Sequence, residues 1–179
     1  TDGDPINNKS QFNECSYGKL QFEPFIGTTS SGVQISNGVY TITVAADRLS
    51  PSEVEAQARI AGSAALGDLQ SQFDYVALSV PDNNEGYAAY AYVNSWLSLY
   101  KSNYVDYVTV QLHEIGHNIG LAHSGEGGST YGDTSGLMGA VFSDDRSMCF
   151  NGAKNAQLGW YDDRLVDATS GYDGALYGI

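Results

Sequence analysis

The 179-residue chain contains three histidines, and all of them fall in one eleven-residue run, His113-Glu114-Ile115-Gly116-His117-Asn118-Ile119-Gly120-Leu121-Ala122-His123. Side chains at i and i+4 of a helix lie only about 40° apart at ~100° per residue, so His113 and His117 can grip one cation from a single helix face. His123 must join them from beyond the helix end. Gly120 supplies the break, because glycine accepts the left-handed conformation that ends many helices and lets the chain turn back. Any fold of this chain therefore has to stop a helix near residue 120 and return the next residues to its side. Three neutral imidazoles suit zinc and leave one tetrahedral position for water, as in a catalytic rather than a closed structural site.

Glu114 gives that arrangement a chemical direction. A cation held by three imidazoles lowers the pKa of water toward ~7 and polarises a carbonyl. The carboxylate beside the first ligand can take the water proton and later pass it to a leaving amine. Amide hydrolysis is the reaction those parts perform. The competing readings are histidines at chance spacing on a surface, or a structural zinc. A structural site would fill its fourth position with another side chain, and it would leave Glu114 without a role.

The run from His113 to His123 fits H-E-x-x-H-x-x-G-x-x-H and so resembles the metzincin clan of zinc endopeptidases. The resemblance implies a methionine turn next. Gly132-Asp133-Thr134-Ser135-Gly136-Leu137-Met138-Gly139 supplies one, and Met138 takes the role of a hydrophobic floor beneath the metal, the alternative being an ordinary core methionine. More narrowly, the chain is similar to the gametolysin-like peptidases. The likeness runs through His123-Ser124-Gly125-Glu126, Tyr131-Gly132-Asp133, Met138-Gly139, Cys149-Phe150-Asn151-Gly152-Ala153-Lys154 and Gln157-Leu158-Gly159-Trp160-Tyr161, with Cys15-Ser16-Tyr17-Gly18 near the start. It covers most of the chain, and it implies a secreted zinc endopeptidase acting on protein or peptide substrates. Extracellular matrix or cell-wall glycoproteins are the substrate class of the family's namesake. One position departs from the pattern: Ala140 stands two residues after Met138, where several metzincin groups carry a tyrosine that reaches the metal or the oxyanion. Zinc and backbone N–H groups of an edge strand would stabilise the oxyanion instead, with Tyr131 and Tyr161 as candidate substitutes. Two rival functions are a non-catalytic zinc-containing binding or adhesion module, which would have no use for Glu114, and a zinc hydrolase of a non-peptide amide or ester.

Charge and cysteines bound the setting. A net charge of -13 with only eight Lys and Arg makes a surface that repels phosphate backbones and anionic lipid, which argues against nucleic-acid and membrane partners. The same acidity would attract cationic substrates, or serve solubility alone. No stretch approaches the ~18 apolar residues of a membrane span. The length fits one soluble, monomeric catalytic domain over 1–179, an upper part to about 120 and a lower part from about 121. Cys15 and Cys149 are the only cysteines, and they read as one disulfide in an oxidising compartment rather than two unrelated thiols. A chain that starts at Thr1 reads as a mature or trimmed form. The pairs Asp144-Asp145 and Asp162-Asp163 offer oxygen donors for calcium, but they lack a calcium loop's alternation and fit solvated surface pairs better.

The periodicities predict an α/β chain, and the resemblance implies a metzincin-like zincin fold with a twisted, mixed five-stranded sheet, a packing helix, an active-site helix and a smaller C-terminal part containing a Met-turn and a last helix. Residues 1–12 read as an irregular arm, Gly18 to Ile26 as a first strand, and Val39 to Ala45, after an Asn37-Gly38 turn, as a half-buried strand. Ser50-Pro51-Ser52-Glu53 starts a helix to about 70 with Val54, Ala58, Ala61, Ala65 and Leu69 inward. Phe73 to Val80 reads as an interior strand, and Tyr87 to Val93 and Trp96 to Tyr100 as two more, one of them the edge above the cleft. The motif helix is capped by Asn103 and buries Val105, Val108, Leu112, Ile115 and Ile119, which turns His113 and His117 away from the core. Asn151 to Leu158 forms the last helix, stopped by Gly159.

Overall fold

The computed structural model describes residues 4–45, 49–82, 86–139, 147–166, 169, 171, 173 and 174. Its first element is a helix, α1 (Asn8–Cys15), where the sequence suggested an irregular arm. The arm lacks an apolar period, yet its start is capped from both sides. Asn7 Oδ1 accepts from the Ser10 N–H at 3.0 Å, and the Ser10 hydroxyl accepts from the Asn7 N–H at 3.0 Å. Phe12 and Cys15 enter the core, and the expected Cys15–Cys149 disulfide ties this helix to the C-terminal part.

Two predicted strands do not form. Residues 19–26 run without ladder bonds: Leu20 and Phe22 still pack on the core, but Pro24 has no N–H to give. In Val39–Ala45, Ile42 and Val44 are half-buried between exposed neighbours, so the period of two is real. No strand beside it among the described residues offers a partner. Gly38 has φ +76, as the Asn37-Gly38 turn requires. In their place a short antiparallel pair appears, β1 (Gly27–Thr28) with β2 (Gln34–Ile35).

Helix α2 (Pro51–Leu66) starts with the predicted capping box, in which the Glu53 carboxylate accepts from the Ser50 N–H at 2.8 Å. It ends four residues early, at Gly67, and a one-turn helix α3 (Leu69–Gln72) follows. Its buried row is Val54, Ala58, Gly62 and Leu66, with Ala61 and Ala65 at the margin. Then come β3 (Val76–Val80), β4 (Ala89–Ala91) and β5 (Leu97–Lys101), ordered β3-β5-β4 with β3 parallel and β4 antiparallel to β5. The five strands among the described residues thus lie in two sheets instead of one, because β1 and β2 bond only to each other. β3 is an edge, not an interior strand, and β5 is the central one, buried along its whole length. β4 is the other edge, as one of these two strands was expected to be.

Leu99 of β5 packs with Val54 of α2 and Val80 of β3. Ser98 and Tyr100 point the other way, where Tyr100 feels the charge of Glu114 on α4 (Val108–Asn118). The sheet therefore has α2 on one face and the motif helix on the other. A 3-10 turn over Ser102–Asp106 precedes α4, which places Asn103 and Val105 before the helix; its first turn follows Tyr107, with no side-chain cap. The largest apolar cluster joins Phe12, Val108, Leu112, Ile115, Leu121, Leu137, Met138, Phe150 and Trp160, so α4 is the axis of the core. Helix α5 (Gly152–Gln157) follows its predicted start at Asn151 and ends before Gly159, which has φ +68.

Candidate metal centre on helix α4

The end of α4 is set by Gly120, whose φ is +101. The Gly120 N–H donates to His117 O and the Leu121 N–H to Gly116 O, both at 2.9 Å, the pair of bonds that defines a Schellman motif. This turn does more than stop the helix. The Leu121 carbonyl comes back to accept from His117 Nδ1 at 2.8 Å, and the Leu137 carbonyl accepts from His113 Nδ1 at 2.6 Å. With each Nδ1 donating its proton to a carbonyl, each Nε2 is left with a free lone pair.

His123 brings the third nitrogen. Its Nε2 lies 3.1 Å from His117 Nε2, and the ligating atoms of His113, His117 and His123 all lie within 4.8 Å of one another. Tetrahedral zinc, with Zn–N of ~2.0–2.1 Å, needs donors about 3.3 Å apart, so the trio fits it with small adjustments. His113 and His117 are 3 % and 8 % exposed, and His123 is half-buried. The sequence reading turned the first two away from the core. Instead α4 is buried almost all round, because Leu137 and Met138 close over its histidine side. Burial pushes His113 down to about 4 and also lowers His117 and His123, so all three rings are neutral near pH 7.

Glu114 is 6 % exposed, and its Oε2 has no hydrogen-bond partner among the described residues. Burial pushes its carboxyl up to about 8. A neighbouring cation would reverse that preference and favour the carboxylate. Met138 is fully buried under α4, so close to Gly116 that a Cβ there would lie 2.5 Å from the sulfur. Its carbonyl accepts from the Ser124 N–H at 2.7 Å, which joins this segment to the chain just beyond His123.

The remaining candidates separate clearly. Tyr131 has its ring centroid 4.2 Å from that of His123 and 6.2 Å from that of His113. Tyr161 belongs to the core and donates its hydroxyl to Cys15 O at 3.4 Å. Ala140 and the Asp144-Asp145 pair lie outside the described residues. Asp162 and Asp163 are exposed, with Asp163 paired to Lys19 at 2.7 Å. Among the described residues the histidine trio is the one group of three or more His, Cys, Asp or Glu side chains close enough to hold an ion, so nothing supports calcium.

Sequence reasoning did not find the two carbonyls that aim the histidines. Nor did it find Asn118, whose Nδ2 donates to Tyr92 O and Leu97 O at 3.0 Å each and locks the end of α4 to the sheet. Glu55, buried on α2, accepts from the Tyr90 and Tyr92 hydroxyls at 3.0 and 2.9 Å and steadies the β4 edge; an acid inside an apolar helix row was the available signal. A surface hollow of about 450 Å³ lined by Gln70, Asp74, Asn94, Ser95, Trp96 and Asn118 excludes the histidines, so chemistry rather than volume marks the site.

A family model described as gametolysin peptidase M11 matches residues 1–174. No curated protein matches the chain.

Proposed function

The chain belongs to the gametolysin peptidase family, a family of metallopeptidases, and from that premise we propose that it is a secreted zinc endopeptidase with Glu114 as general base. The observation that carries this reading is a trio of histidine nitrogens within 4.8 Å of one another beside a buried carboxyl with an unpartnered oxygen. When bound, zinc supplies the positive charge that acidifies water and polarises the peptide carbonyl. Glu114 takes the proton of the attacking water on its carboxylate and delivers it to the amine nitrogen as the C–N bond breaks. The Leu137 and Leu121 carbonyls hold the imidazoles of His113 and His117 in the one tautomer that leaves Nε2 free.

The substrate lies extended along β4, whose outer edge is unpaired among the described residues, and adds its backbone bonds to the sheet. The fold reading that goes with this is a metzincin-like single catalytic domain, with the part before about residue 120 above the cleft and the remainder below it. Residues 132–139 act as the methionine turn, and Met138 is the floor under the metal. The Cys15–Cys149 disulfide supports an extracellular enzyme, which we read as a monomer. Its substrates are proteins or peptides, with matrix or cell-wall glycoproteins as the first class to try.

The test is Glu114→Gln. This variant should keep one zinc per chain by elemental analysis while kcat/KM on a mixed peptide library falls by about 10² to 10⁴, and His117→Ala should lose metal and turnover together. Full activity in Glu114→Gln would remove the proposed base. A zinc-loaded wild type that cleaves no peptide but turns over esters or small amides would move the chain to another hydrolase class; one that turns over nothing would make it a binding module.

A further inference from the structure

Tyr131 is 49 % exposed, yet the loop that carries it is closely tied down. Ser124 and Asp133 close its base, with the Asp133 N–H donating to Ser124 O at 3.2 Å and Asn151 Nδ2 donating to Asp133 Oδ2 at 2.5 Å and to Ser124 Oγ at 3.3 Å. Its tip turns at Gly127 and Gly128, with φ +59 and +86, between reciprocal backbone bonds of Glu126 and Ser129 at 2.9 and 3.0 Å. Gly132 follows the tyrosine against the Glu126 backbone, where a Cβ would lie 2.5 Å from Glu126 O. The sequence Ser124-Gly125-Glu126-Gly127-Gly128-Ser129-Thr130-Tyr131-Gly132-Asp133 contains no other large apolar or aromatic group. A loop built so tightly from glycines and small polar residues thus holds up one aromatic ring, and it holds it against the most exposed of the three histidines.

We propose that Tyr131 is a substrate-contacting residue, its exposed ring surface forming a side wall of the cleft that takes an apolar or aromatic side chain next to the scissile bond. The reasoning is one of position and exposure. The ring leans on His123 at 49° and lies 6.2 Å from the His113 ring, so it stands at the side of the histidine trio where the reacting carbonyl would sit. A tyrosine presents a large, amphipathic surface at low cost in rotamer entropy, which makes a half-exposed and pre-positioned ring an effective anchor for an apolar partner. The loop's backbone bonds mean that this surface is already in place before a peptide arrives.

The inference rests on the peptidase reading, and the experiment separates the two failures. From a mixed library, the hexapeptide cleaved fastest by the zinc-loaded wild type is chosen as the probe; if the wild type cleaves none, the peptidase reading is what fails. Binding of the uncleaved probe is then measured by fluorescence anisotropy on zinc-loaded Glu114→Gln, alone and combined with Tyr131→Ala or Tyr131→Phe, each with one zinc per chain confirmed. Tyr131→Ala should weaken binding about tenfold, with little effect on a probe carrying Gly at both positions flanking the scissile bond, and Tyr131→Phe should recover most of the loss. Equal affinity with and without the ring overturns the wall. So does a Phe variant as weak as Ala, since the hydroxyl and not the ring surface would then make the contact.

Discussion

Replacing Gly116 by alanine tests the packing under the metal centre more sharply than removing a ligand would. In an exposed helix this change stabilises by about 1 kcal/mol, because alanine is the better helix former. Here the added Cβ would lie 2.5 Å from Met138 Sδ and 2.9 and 3.1 Å from the edge of the Phe150 ring, the first two closer than real Cβ contacts come, so something must move. Met138 and Phe150 are both buried within the cluster that holds Leu112, Ile115 and Trp160, so neither can step aside without disturbing others. Overpacking of this kind costs about 1–3 kcal/mol. Set against the helix gain of about 1 kcal/mol, a net loss of up to about 2 kcal/mol remains, a fall in Tm of up to roughly 8 °C for a chain of this size. The displacement also has a chemical reading, because Met138 adjoins Leu137, whose carbonyl orients His113 at 2.6 Å. Disturbing such an outer partner lowers metal affinity by about 10- to 100-fold. Calorimetry of the chelated and zinc-loaded forms, with zinc competition against a fluorescent chelator, reads both effects. A Gly116→Ala variant as stable as wild type, with unchanged zinc affinity, would refute the claim that Met138 presses on the helix at this point.

Removing the disulfide by Cys15→Ala/Cys149→Ala should cost about 5 kcal/mol by the loop-entropy relation, since the bridge closes a sequence separation of 134 residues. Denaturant unfolding measures it, and a loss under about 1 kcal/mol would mean that α1 stays docked through Phe12 without the bond. In the metal-free protein, His113 has a folded pKa of about 4, below its ordinary 6.5, so its contribution is lost as pH falls through that interval, and His117 and His123 act in the same sense. Glu114 works oppositely: its folded pKa of about 8 lies above the ordinary 4.5, and stability is lost as pH rises between them. From pH 6.5 to 8 the histidines titrate alike in both proteins, so the Glu114 contribution should make wild type lose about 2 kcal/mol relative to Glu114→Gln. That decline should be present in chelated wild type and absent from chelated Glu114→Gln. Identical slopes would show that the carboxyl is not held neutral.

What the sequence disclosed and what it hid divide along a physical line. The histidine spacing, the stop at Gly120, the Ser50–Glu53 capping box and the Asn151–Gly159 helix are local: each depends on residues within a turn or two, so the pattern contains its own partners. Val39–Ala45 has the alternation of a strand, and from Thr41 to Ala45 it is wetted as that alternation requires, yet a strand also needs a neighbour, and alternation says nothing about one. β3, which reads as an interior strand, is an edge for a related reason. β3 is the more apolar run and β5 the more buried strand, because its Ser98 and Tyr100 face a hydroxyl cluster with Tyr75 rather than water.

The same line runs through the metal centre. Spacing names its proposed ligands, but the groups that orient His113 and His117 are two backbone carbonyls, and every residue has one. What selects Leu121 is the Schellman turn, which swings its carbonyl back under His117; what selects Leu137 is its place beside Met138, pressed against a helix that has no Cβ at Gly116. Gly120 and Gly116 therefore have a common purpose in different forms. One lets the chain turn back and the other lets it come close, and each brings an oxygen to the Nδ1 of one histidine. The arrangement predicts that second-row damage at either glycine should appear first in metal affinity rather than in peptide affinity. Tyr131 lies outside both devices, and its loss should show the reverse order.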